Sequence, residues 1–124
     1  MNNIASMSPE EIVREAENVA RQLATQDRVK TGQIRNFYSG ITRLRTEFAK
    51  DGFVSPKVQK QLVLLKPKLA YAAGRQIAVK TTFYPKMTAA VDGVLNAGNK
   101  DLALDNFFLF VESVVAYHKY YGGE

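Results

Sequence analysis

Apolar residues in this chain return every three or four positions, in stretches cut by proline and glycine, and nowhere alternate at period two as a half-buried strand requires. The expectation is an all-α fold. Ser8-Pro9-Glu10-Glu11 opens the first helix with a capping serine, a proline where its missing N–H costs nothing, and a glutamate three residues after the cap. Ile12, Val13, Ala16, Val19, Ala20 and Leu23 carry it over about residues 9–25. Thr31 can cap a second helix, in which Ile34, Phe37, Ile41, Leu44 and Phe48 share one arc until Asp51-Gly52 ends it. Ser55-Pro56 repeats the first start, and Val58, Leu62, Leu65 and Leu69 form a third stripe. Pro67 removes the amide bond back to residue 63, so this helix either ends near Leu65 and restarts or kinks. A fourth helical region spans about residues 76–97, with Pro85 as a second interruption and Phe83, Met87, Ala90, Val91, Val94 and Leu95 facing the core. The last, about residues 100–121, is the most apolar, with Leu104, Phe107, Phe108, Val111, Val114, Val115 and His118 on one side and Phe110, Tyr117 and Tyr121 beside them. A compact bundle of about five helices is expected, as a single domain over residues 1–124.

The chain has no cysteine, which removes disulfides, thiolate zinc sites and cysteine nucleophiles, and a reducing cytoplasm is the expected location. No apolar run approaches the length of a membrane span, and the N-terminus lacks the pattern of a signal peptide. The net charge of +5 conceals a strong asymmetry. Residues 28–86 hold thirteen basic side chains against Glu47 and Asp51, whereas the segments on either side are each net acidic. Five of the thirteen are arginines, Arg28, Arg35, Arg43, Arg45 and Arg75, whose planar forks suit phosphate oxygens. A solvated helix face normally mixes signs, so a cationic excess this large points to a polyanion such as nucleic acid. A basic helix lying on a membrane is the weaker reading, because the apolar stripes are needed for the core.

No catalytic constellation can be assembled, and no metal or cofactor is expected. The lone histidine has no cysteines or convergent carboxylates to complete a metal site, and its spacing from Phe107, Val111 and Val114 puts it on the apolar stripe. His118 is therefore read as an interior residue, with a phosphate contact as the alternative. Neither a Walker-type loop nor G-x-G-x-x-G is present.

Three blocks carry a resemblance: TGQIRNFYSGI at 31–41, LLKPKLAYAAGR at 64–75 and FFLFVESVVAYHKYYGG at 107–123. In them the chain resembles the small subunit of type III-A CRISPR interference complexes, the Csm family. The resemblance implies a non-catalytic structural subunit whose copies stack as an inner filament, lining the groove where guide RNA pairs with single-stranded target RNA. Its partners would be those RNAs, the other effector subunits and further copies of itself, with cleavage left to other subunits.

On this reading Lys66, Lys68 and Arg75, grouped around Pro67 and Gly74, are presented to phosphates by a constrained backbone. Arg35, Arg43 and Lys50 extend the surface from the second helix, and Lys80 and Lys86 add to it. Arg75 has an alternative as a helix-capping cation, and Tyr71 is expected in the core among leucines and alanines. Two other functions are open: a helical DNA-binding regulator, against which the cations are spread over three helices, and a protein-only assembly adaptor whose basic face meets an acidic partner.

Overall fold

The structure, a computed structural model, describes residues 3–123. After a short 3-10 turn at Ile4–Ser6, six α-helices follow among the described residues: α1 (Pro9–Arg21), α2 (Thr31–Asp51), α3 (Pro56–Arg75), α4 (Ile77–Thr81), α5 (Phe83–Leu95) and α6 (Lys100–Tyr120). No described residue lies in a strand, and no described helix is long and apolar enough to cross a membrane.

Local chemistry sets most of the ends. Ser8 and Glu11 form the reciprocal capping box, the Ser8 hydroxyl accepting the Glu11 amide at 3.2 Å and the Glu11 carboxylate accepting the Ser8 amide at 2.9 Å. That backbone hydrogen bond, and then the Ser8 side chain, hold the Glu11 carboxyl below its usual range. Ser55 caps α3 through the Val58 amide, and Asn99 caps α6 through that of Leu102. Gly52, with φ of 80°, supplies the left-handed residue that closes α2.

Several boundaries differ from those read in the sequence. The first helix gives way at Gln22 to a wider π-type turn, Gln22–Gln26. Thr31 is the first residue of α2, not its cap; the cap position falls on Lys30, and the Thr31 hydroxyl, turned inward, has no hydrogen-bond partner. The expected fourth helix is two, broken at Thr82, whose φ and ψ of −122° and −48° leave the helical range. Pro85 sits in the first turn of α5, where a helix has no use for its amide. Pro67 does not end α3, which runs through it from Pro56 to Arg75. Pro67 and Val63 are both exposed, so water can reach the freed carbonyl, while Leu62, Leu65, Leu69 and Ala73 stay buried on either side of the proline and hold the helix down.

Helix α6 occupies the middle. It packs along α1 and also against α2, α5 and the opening 3-10 turn, whereas α3 packs against α2, α4 and α5. Ala103, Leu104, Phe107 and Phe110 have no solvent exposure, and Phe110, expected at the margin, is among the largest fully buried side chains. Polar ties join distant parts of the chain to this helix: the Asn106 amide donates to the Ile4 carbonyl at 3.0 Å, and the Val54 amide to the Asp101 carboxylate at 2.8 Å.

His118 is interior, as its place on the stripe implied. It is 1% exposed, and its Nε2 lies 2.7 Å from the Val29 carbonyl oxygen. A carbonyl can only accept, so Nε2 carries the proton. Arg28, at φ 55°, takes the left-handed conformation that swings Val29 toward the ring. Gly123 packs so closely on the imidazole that a Cβ there would overlap it.

Phe107→Ala should destabilise the fold by about 3–5 kcal/mol, the usual cost of emptying a fully buried phenylalanine site. Urea unfolding should show the lowered midpoint with an unchanged slope.

Candidate nucleic-acid interface

The two lysines of the K-P-K block are two residues apart, and a helix turns them about 200° from each other. Their surroundings differ accordingly. Lys66 leans to α5, where its ammonium lies 2.7 Å from the Asp92 carboxylate. Lys68 points to the other flank, over a groove between α2, α3 and α4. The groove is about 740 Å³, and Arg43 of α2 and Arg75 at the end of α3 line it with Lys68. A second hollow of about 360 Å³ continues it between α2 and α3 and shares Gly40, Arg43, Leu65 and Lys68.

No Asp or Glu lines the larger hollow. In the smaller one the acid is Glu47, which Lys57 engages at 2.9 Å. That hydrogen bond, and the charge behind it, raise the Lys57 ammonium above its usual range. The floor is apolar, with Ile34, Leu65, Leu69, Val79 and Phe83 buried and Phe37 meeting Phe83 edge to face at 5.2 Å. Gln33, Asn36, Ser39 and Gln76 supply polar groups along the walls.

Of the eight cations picked from the sequence, the structure gathers Arg43, Lys68 and Arg75. Arg35 and Lys50 are exposed on α2 and Lys80 on α4, outside the lining of both hollows. None of these six has a carboxylate partner among the described residues. Lys86 is half-buried and reaches Glu15 of α1 at 3.8 Å, so it, like Lys66, is held by a carboxylate elsewhere. Arg45 sits over the Phe108 ring at 5.1 Å and pairs with Glu112 at 2.5 Å.

Tyr71 corrects the sequence reading. It is not in the core but 67% exposed, lining the groove, with the Arg75 guanidinium 5.7 Å from its ring centre. Leu64, Lys68, Tyr71 and Arg75 fall at spacings of four, three and four and so share one stripe of α3, turned away from Leu62 and Leu69. That spacing was the available signal. The apolar floor had none, since it forms only where α2, α3, α4 and the first residue of α5 meet. Among the described residues no three His, Cys, Asp or Glu side chains gather to hold a metal.

The family model for Csm2 of type III-A systems matches residues 6–124. The chain belongs to that family. A protein of Enterococcus italicus named as the CRISPR system protein Csm2 is 33% identical over 126 residues, covering 96% of this chain and 87% of its own length. As a Csm2 family member the chain is a small structural subunit of a multisubunit type III-A CRISPR complex. The resemblance drawn from three short blocks thus holds over nearly the whole chain.

Gly40 lies inside α2 and lines both hollows, yet a Cβ there would meet nothing nearer than Leu65 Cδ2 at 3.9 Å. Glycine within a helix costs roughly 0.5–1 kcal/mol relative to alanine. Gly40→Ala should therefore raise stability by about that amount, read as a higher urea midpoint.

Proposed function

We propose that this Csm2 protein is a non-catalytic RNA-binding subunit. It holds guide RNA and single-stranded target RNA through backbone phosphates without sequence preference, while its copies stack as an inner filament in the cytoplasmic complex. One observation carries the reading: Arg43, Lys68 and Arg75, free of carboxylate partners among the described residues, converge on a groove whose larger hollow has no acidic lining. Phosphate contacts of this kind position a strand without reading its bases. Arg35, Lys50 and Lys80 are exposed where they can extend the track along α2 and beyond α4, and Lys66 and Lys86 can join it by exchanging a carboxylate for a phosphate. Exposed apolar side chains at both ends of α6, Leu102 at one and Tyr120 at the other, support contact between copies.

Changing Arg43, Lys68 and Arg75 together to alanine should leave the thermal midpoint near that of the parent, since exposed charges contribute little to stability. Affinity for single-stranded RNA should fall sharply. Each lost phosphate contact on a single strand should flatten the fall of log affinity with log salt by about 0.7. A triple variant that binds RNA like the parent at every salt concentration would overturn the assignment. The parent chain should bind without cleaving RNA or DNA, with or without divalent metal; metal-dependent cleavage abolished by changing one carboxylate would refute the non-catalytic reading.

A further inference from the structure

A surface that met only phosphates would need cations and little else. This groove has more: a buried apolar floor, a cationic rim and an exposed aromatic ring, within a volume in the roughly 300–1,000 Å³ range of small-ligand sites. Such a combination fits a ligand that is flat and apolar on one side and anionic on the other. We infer that the groove between α2, α3 and α4 accepts one whole nucleotide of a single strand, its base stacked on Tyr71 above the apolar floor and its phosphate held by Arg43 and Lys68.

The inference rests on the RNA reading proposed for this surface and adds a base contact to it. Tyr71 is prepared for that role. It stands on α3 one turn after Lys68 and one turn before Arg75, whose guanidinium lies 5.7 Å from the ring centre and 3.4 Å, through Nη1, from the phenol oxygen. The ring is therefore partly ordered before any base arrives, which lowers the entropy lost on binding. The absence of carboxylates from the larger hollow removes the repulsion a phosphate would otherwise meet. Because every base has a stacking face, the contact tolerates any sequence. A base already stacked within a duplex has no face to offer, so the site discriminates single strands from duplexes.

The test uses the full chain with a single-stranded RNA homopolymer, an abasic strand of equal length and the same RNA in a duplex, titrated over a range of salt. Tyr71→Ala should weaken the intact single strand about tenfold, the scale of one lost base–aromatic stack. It should leave the abasic strand, the duplex and the salt slope unchanged, and Tyr71→Phe should restore parental binding. If Tyr71→Ala binds all three ligands like the parent while the charge variants bind poorly, the base contact is wrong and the phosphate face stands. The base contact is equally wrong if Tyr71→Ala weakens the abasic strand as much as the intact one, or impairs assembly with other subunits while RNA affinity is kept. If neither the tyrosine nor the charge variants change RNA affinity, the RNA reading itself falls.

Discussion

Burial of α6 on several sides is the constraint from which the remaining architecture follows. A helix that carries Leu104, Phe107, Phe110 and Val111 at essentially zero exposure cannot satisfy them against one neighbour, so α1, α2, α5 and the opening turn gather around it. The packing is tight enough to include a histidine, whose one polar demand Val29 meets. A buried imidazole without that carbonyl would forfeit a hydrogen bond it made in water, and the carbonyl would lose its own.

With the space around α6 taken, α3 docks on α2, α4 and α5 and stands further out. Its second flank meets α2 and α4 incompletely, and the gap is the groove. The pairing of charges follows the same geometry. Acidic side chains on α1, α5 and α6 engage Lys86, Lys66 and Arg45, while the outer side of α3 faces no such helix. A chain whose net charge is a modest +5 thereby brings three cations without carboxylate partners among the described residues, Arg43, Lys68 and Arg75, to one groove.

Helical periodicity sufficed for the long elements, because stripes such as Leu62, Leu65 and Leu69 state their own burial. It misjudged places where tertiary packing outweighs local preference. Pro67 by itself leaves a restart or a kink open, and the buried side chains before and after it carry α3 through as one helix; Thr82, unremarkable in sequence, is where the chain turns. The candidate site was legible as a basic segment and not as a surface. Lys66 and Lys68 look like a pair when written in a line but point to opposite flanks, and Tyr71, whose neighbours in sequence are leucines and alanines, takes the exposed angle it shares with Leu64 and Lys68 on the helix. The groove floor, drawn from four helices, has no local signature at all.

The clasp between His118 and Val29 joins residues 89 apart, and Tyr121 reaches Glu17 across 104. Helix α1 therefore completes its packing only against α6, which is made well after it. At a synthesis rate of about 5–20 residues per second, several seconds separate the two on the ribosome. During that interval the apolar stripe of α1 lacks its principal covering surface, and the bundle must close in a late step, once α6 has emerged.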